Sequence, residues 1–191
     1  MEAFEEIRPK EAAFIDAQKM FFVGTAPLSP DGHVNVSPKG YASFARLDPK
    51  RVAYVDLGGS GIETHAHLRE NGRICLMFCA FDGDPLILRL YGKGQAHQYG
   101  TKGFDALRTH FPKIEIPVRG IIEVALTRVQ RSCGWAVPNY EFIADRDILA
   151  KHNAKRSQEE FMARRIETNQ ASIDGLPGLD GPRTGDEQGE G

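Results

Sequence analysis

Residues 73–98, RICLMFCAFDGDPLILRLYGKGQAHQ, carry the strongest fold signal in the chain. The segment 73–81 is apolar enough for a buried strand, and the DGDP that follows has the composition of a tight turn. The segment 86–98 then reads as a long returning strand. It contains Gly92 and Gly94, and glycines inside a strand are typical of a bulge or of a corner in a small barrel. These residues therefore predict an antiparallel hairpin.

Four further strands are predicted on either side of this hairpin, at 20–26, 33–38, 52–57 and 120–130. The first two flank a turn-like SPDG and so form a second hairpin. Helices are predicted at 9–19, at 62–70, around 104–111 and from 157 onward. These helices are too few to give each strand a parallel crossover. We therefore predict a mainly β (α+β) fold, a six-stranded antiparallel sheet or small barrel with peripheral helices.

Composition narrows the class of protein. The chain has 24 Lys plus Arg against 26 Asp plus Glu, a net charge of -2, so we expect no broad nucleic-acid surface. No run approaches the ~18 apolar residues of a membrane span, and the acidic start does not resemble a secretory signal. Three cysteines fit a reducing cytoplasm better than a disulfide framework. We expect one cytoplasmic domain over 1–179 and a disordered, acidic, Gly-rich tail over 180–191.

The first candidate site lies on the second predicted strand, within GHVNVSPKG. Because side chains alternate along a strand, Asn35, Ser37 and Lys39 project to one face. An amide, a hydroxyl and an ammonium group can all donate hydrogen bonds to a polar or anionic ligand. The same pattern also suits a solvated polar face on an edge strand, and spacing alone favours that plainer interpretation.

The second candidate is the glycine-rich loop 58–61, which leads into a predicted helix. Free N–H groups at a helix N-terminus favour an anion, and Thr64 could add a hydroxyl. Ser60 and Glu63 have the spacing of a capping box, so the loop could equally be a capped connection without a ligand. The carboxylate of Glu63 would oppose an anion.

The third candidate is the end of the last predicted strand, where Gln130, Ser132 and Trp135 lie close together. A tryptophan is a good platform for a flat aromatic ligand, and the two polar side chains could bond to ring carbonyls or nitrogens. A buried core tryptophan is the alternative. No residue pattern identifies a catalytic acid, base or nucleophile, and no histidine or cysteine spacing predicts a metal site.

Several short segments, taken in order, resemble the pyridoxamine 5′-phosphate oxidase-like flavoproteins. They are FFVGTA at 21–26, VNVSPKG at 34–40, VAYVD at 52–56 and LRENGRI at 68–74. SPKG at 37–40, SCG at 132–134 and SIDGLPGL at 172–179 resemble a bacterial branch of that family rather than its true oxidases. The resemblance covers about residues 10–179.

This resemblance implies a six-stranded split β-barrel that forms a homodimer and binds FMN at the subunit interface. Residues 34–39, including Val36, match a segment that binds FMN in the true oxidase, and Lys39 matches the Lys that ends it. Asp56 would approach the flavin, and Ser60 to Thr64 correspond to a second phosphate-contacting segment. The cations of that family's phosphate site are replaced here by Val34, Glu63 and Thr64. Backbone donors, hydroxyls and Arg89 would have to compensate.

The leading functional hypothesis is an FMN-binding oxidoreductase that acts on a small-molecule substrate or NAD(P)H. Arg89 lies in an otherwise apolar strand and is expected to have an anionic partner. The alternatives are a non-catalytic module that binds flavin or haem, with His33, His65, His67 and His97 as possible haem ligands, and a deazaflavin-dependent reductase. The sequence does not identify the substrate or the electron donor.

Overall fold

The hairpin of residues 73–98 is present in the computed structural model, which describes residues 2–181. Its strands are Arg73–Cys79 (β6) and Ile87–Gln98 (β7), and they pair antiparallel from Cys79 opposite Ile87 to Arg73 opposite Lys93. The predicted bend is also present: the register of β7 against the last strand shifts between Tyr91 and Gly92. A Cβ on Gly92 would lie 2.3 Å from the carbonyl oxygen of Ala125, so only glycine fits there.

Eight strands and five helices make up the described chain. In chain order they are β1 Glu2–Phe4, α1 Pro9–Ala17, β2 Phe21–Thr25, β3 Asn35–Lys39, β4 Phe44–Asp48, β5 Arg51–Asp56, α2 Glu63–Asn71, β6, β7, α3 Lys102–Arg108, β8 Gly120–Ser132, α4 Ile148–Asn153 and α5 Gln158–Thr168.

All strand pairs are antiparallel, in the order β3-β2-β6-β7-β8-β5-β4, with β1 paired to β8. The predicted α+β fold is therefore confirmed, and the sheet is the open sheet of a split barrel. Two strands exceed the six predicted. The short β1 gives too few residues for a pattern, and β4 (FARLD) carries charges that mask its alternation.

The core lies between the inner face of the sheet and the helices. Along β2 buried and partly exposed residues alternate, and the inward residues of β2, β6 and β7 form one apolar cluster; it includes Val23, Leu76, Leu88 and Leu90, all fully buried. A second cluster packs α3 on β5 and β8 through Phe104, Phe111 and Ile121. A third joins α5 to the loop before α2 through Phe161 and Ile62.

Two helix ends have well-defined caps. Gly72 ends α2 in the left-handed conformation (φ 70°), and Ser157 forms a capping box with Glu160 at the start of α5. The predicted cap at Ser60 is wrong: α2 begins at Glu63, its N-cap residue is Ile62, and no side chain caps it.

Most of the predicted tail, 182–191, lies outside the described residues. Within 2–181 no helix is long and apolar enough to cross a membrane.

Candidate functional site

The three polar residues of β3 share one side of the sheet, as the sequence predicts. Strand register places Asn35 opposite Thr25 and Ser37 opposite Val23, and Val23 is fully buried. The polar residues therefore lie on the inner face. Lys39, at the end of β3, is half-buried; within residues 2–181 its side chain forms no hydrogen bond or ion pair, although its charge helps to lower the pKa of Asp56.

A cleft of about 500 Å³ opens between the start of β3 and the glycine loop 58–61. It is lined by His33, Val34, Asn35, Val36, Ser60, Gly61, Glu63 and Ile173. The first two candidate sites of the sequence are thus brought together: Asn35 Nδ2 donates to Thr64 Oγ1 over 3.1 Å, which joins β3 to the first turn of α2.

Two carbonyl groups of the glycine loop accept hydrogen bonds from side chains in the protein interior. Arg119 Nη1 donates to the oxygen of Gly61 over 2.7 Å, and Asn169 Nδ2 donates to the oxygen of Ser60 over 2.9 Å. In a trans peptide the N–H of the next residue points away from the carbonyl, and the described chain has no cis peptide bond. The N–H groups of Gly61 and Ile62 therefore point away from Arg119 and Asn169.

Asp56 does not approach the cleft, contrary to the sequence-based expectation. It is 4% exposed, and its carboxylate accepts hydrogen bonds from Arg119 (2.9 and 3.2 Å), from His65 Nε2 (2.7 Å) and from the N–H of Gly58 (3.0 Å). Burial raises the pKa of Asp56, but Arg119 and His65 outweigh that effect and hold the pKa well below its usual range. Asp56 therefore anchors the loop from within and has no oxygen left for a ligand.

A series of buried polar contacts connects Asn35 to His67. The amide of Asn35 donates to Thr25 Oγ1 over 3.1 Å, and the Thr25 hydroxyl lies 3.0 Å from His67 Nδ1. His67 is fully buried, and its Nε2 has no partner among the described residues. Burial lowers the pKa of His67, so the ring is neutral. These contacts fix Asn35 between β2 and α2.

The third candidate site lies on the opposite face of the sheet. Register pairs Arg89 with Gln130 and Ile87 with Ser132, on the outer side. Arg89 Nη1 donates to Ser132 Oγ over 2.9 Å, so the expected anionic partner is replaced by a hydroxyl within the described chain. Val36 points to the same outer side and is 65% exposed.

Trp135 follows β8 and is 84% exposed, so the alternative of a core tryptophan is wrong. The turn that carries it is tight, because a Cβ on Gly134 would lie 2.7 Å from the nitrogen of Leu86. The predicted site residues thus form two sets. The inner set lies in or beside the cleft and comprises Asn35, Ser37, Lys39, Ser60 and Thr64. The outer set comprises Arg89, Gln130, Ser132 and Trp135, and Val36, which points to the outer side, also lines the edge of the cleft.

Sequence reasoning missed Arg119 and Asn169, and it identified residues 172–179 only as part of the family resemblance and not as a border of the cleft. Arg119 looked like an ordinary residue before a strand, and only its 5% exposed side chain beside Asp56 shows its importance. The sequence predicts that Glu63 opposes an anion, and in the structure its carboxylate lies at the cleft, where Oε1 accepts from the N–H of Ile173 over 3.3 Å.

The fold and site together define a split-barrel protein with a cleft rich in hydrogen-bond donors at the edge of its sheet. Residues 7–133 match the profile of the pyridoxamine 5′-phosphate oxidase family. The chain belongs to this family. It is also 37% identical over 180 residues to the pyridoxamine 5′-phosphate oxidase family protein ustO of Aspergillus flavus, across 85% of this chain and 71% of that protein.

Solved structures agree with this fold. HupZ from Group A Streptococcus superposes with a TM-score of 0.53 at 18% identity, over 71% of this chain and 99% of HupZ. A candidate pyridoxamine 5′-phosphate oxidase from Lactobacillus delbrueckii gives a TM-score of 0.51 at 16% identity, over 68% of this chain and 99% of the other. At these identities the similarity concerns the fold alone.

A flavin phosphate fits the cleft by its donors. The outward N–H groups of Gly61 and Ile62 and the hydroxyl of Ser60 can each bond to a phosphate oxygen. No lysine or arginine lines the cleft, and Glu63 lies beside the loop: a Cβ on Gly61 would lie 2.1 Å from its Oε2. The charge for a phosphate must therefore come from Lys39 or from outside the cleft.

Proposed function

We propose that this chain is a flavoprotein that binds FMN between two copies of itself and acts as an oxidoreductase on a small molecule. One observation carries the proposal: the residues suited to the cofactor lie in two sets on opposite faces of one sheet. β3 and β8 are four strand spacings apart, roughly 19 Å at ~4.8 Å each. Arg89, Gln130, Ser132 and Trp135 lie on β7 and after or within β8, away from the cleft, and a second copy can present them to the first copy's cleft.

In this arrangement the glycine loop at the cleft holds the phosphate, together with Ser37 and Lys39 farther along the same face of β3. Asn35 faces the ribityl chain. Arg89 of a second copy supplies a cation that the cleft lacks, and Trp135 packs against the flavin ring. Arg89 suits this role because it is half-buried and forms no ion pair with the described residues.

The bound flavin would supply the hydride or electron transfer. The side chains of this protein bind and orient: hydroxyl and amide groups hold the cofactor, and the apolar rim of Val34 and Ile173, 72% and 69% exposed, would exclude water once a second copy covers it. No acid or base is needed if hydride passes directly between flavin and substrate.

Cofactor loading tests the proposal. We expect the purified protein, incubated with FMN, to retain a flavin absorption spectrum, to sediment as a dimer and to oxidise NAD(P)H or a small-molecule reductant. The Lys39→Ala variant should bind FMN at least tenfold more weakly, and Lys102→Ala, at an exposed lysine on α3, should not. Absence of bound FMN in the wild type would overturn the proposal.

The same experiment separates the alternatives. Retained FMN without any turnover would indicate a non-catalytic flavin module, and preference for a deazaflavin in direct competition would indicate the deazaflavin reductase. A Soret band after haem titration would indicate haem. Of the four histidines considered for haem, His65 and His67 are buried and His97 Nε2 bonds to Glu123, which leaves His33 as the exposed one.

A further inference from the structure

We propose that the C-terminal hairpin, residues 169–179, is a working part of the ligand site, and that Asn169 is a positioning residue for the phosphate-binding loop. The inference rests on the proposed function and deepens it. The hairpin lies outside residues 7–133, which carry the family match, and it borders the cleft through Ile173.

The hairpin is a preformed unit. Ala171 pairs with Pro177 in an antiparallel bridge, and the N–H of Leu179 donates to the oxygen of Asn169 over 2.9 Å. Gly175 turns the chain with a φ of 76°, a conformation that favours glycine. Because its own bonds fix its shape, the hairpin can transmit position from one contact to another.

The first residue of the hairpin, Asn169, holds the glycine loop through hydrogen bonds. Asn169 is 1% exposed, and its amide uses both ends: Nδ2 donates to the oxygen of Ser60, and Oδ1 accepts from Arg119 Nη1 over 2.9 Å. Arg119 in turn holds the oxygen of Gly61. Two successive carbonyl groups are thus turned inward by one shared amide–guanidinium pair. The N–H groups of Gly61 and Ile62 are turned outward as a result.

The tip of the hairpin contacts the wall of the cleft formed by the start of β3. Asp174 accepts from the N–H of His33 over 2.8 Å and lies 2.6 Å from its ring Nδ1. The N–H of Ile173 reaches Glu63 on the helix side. The hairpin therefore touches both walls, the start of β3 and the start of α2, and fixes the distance between them.

This arrangement makes a specific chemical prediction. The outward N–H groups serve an anion, and a neutral ligand gains little from them. If Asn169 positions these groups, its loss should weaken FMN, which carries a phosphate, and should leave riboflavin, which lacks it, almost unaffected. A purely structural role for Asn169 would instead change both affinities alike or neither.

The test measures dissociation constants for FMN and riboflavin by flavin fluorescence quenching. In Asn169→Asp the oxygen facing Arg119 is kept and the donor to Ser60 is lost, whereas Asn169→Ala loses both contacts. We expect FMN affinity to fall about tenfold in Asn169→Asp, in line with the loss of well-aligned hydrogen bonds, with riboflavin affinity within twofold of wild type.

Gln158→Ala is the matched control, because the Gln158 amide also bonds to backbone groups, at Val118, but away from the cleft. It should leave the ratio of FMN to riboflavin affinity unchanged. An unchanged ratio in Asn169→Asp, with the fold intact by circular dichroism, would overturn the inference. A wild type that binds neither flavin would instead overturn the proposed function.

Discussion

Glu63 is the side chain at the cleft whose charge opposes the ligand proposed for it. Its carboxylate is held beside the glycine loop by the N–H of Ile173. Removing one like charge at a half-buried position changes the binding free energy by about 1 kcal/mol, or roughly fivefold in affinity. We predict that Glu63→Gln binds FMN several-fold more tightly and riboflavin unchanged. Glu167→Gln, at an exposed glutamate on α5, is the control, and weaker FMN binding by Glu63→Gln would contradict this account.

His67 gives the fold a pH dependence at the scale of one residue. Burial lowers its pKa in the folded state below the unfolded value of about 6.5, so the unfolded chain binds the proton more readily. Its contribution to the free energy of unfolding is therefore present above pH 6.5 and falls as the pH drops below it, by at most about 1.4 kcal/mol per pH unit.

Urea unfolding between pH 5 and 8 measures this dependence. We predict that His67→Asn, whose amide can replace the contact of Nδ1 with Thr25, has a shallower slope than wild type below pH 6.5. Equal slopes for wild type and His67→Asn would show that His67 does not titrate on unfolding.

The glycine loop acts as an element because α5 packs beneath it. Gly58 has a φ of 76°, and a Cβ there would lie 2.4 Å from the ring of Phe161. Gly59, its neighbour, has open space around the same position. We predict that Gly58→Ala lowers the free energy of unfolding by about 2–4 kcal/mol, from backbone strain and overpacking, and Gly59→Ala by less than about 1 kcal/mol.

Denaturant unfolding and FMN titration of both loop variants check this prediction. FMN affinity should fall in Gly58→Ala, because the loop must shift to relieve the contact. If the two substitutions were equally mild, α5 would not support the loop as the structure indicates.

At the scale of the whole molecule, the proposed two-copy site depends on the outer face of the sheet. Val36 is 65% exposed on that face, so a charge there costs the isolated chain little. We predict that Val36→Glu converts the dimer to a monomer in analytical ultracentrifugation and abolishes FMN retention, with little change in the unfolding midpoint. Ile148→Glu, at a similarly exposed apolar residue on α4, should remain dimeric. A monomeric wild type that binds FMN would contradict the two-copy site.

Much of the fold could be predicted from local patterns. The alternation along β2 and the apolar run of β6 predict which side chains of these strands are buried. The glycines of β7 predict the bend that the structure has next to Ala125. The polar face of β3 was likewise readable, because side-chain direction in a strand depends only on the two-residue period. The cap at Ser60 failed because a loop held by Arg119 and Asn169 has no need of a side-chain cap.

The sequence by itself determined six of the eight strands, two hairpins and the family, since these depend on residues close together in the chain. Only the tertiary structure decided the site. The partner of Asp56 lies 63 residues away at Arg119, and the residue that holds Ser60 lies 109 residues away at Asn169. No local period encodes such pairs. The division of the site between two faces follows from the register of five paired strands, which the sequence leaves open because register is set only when the strands pack together.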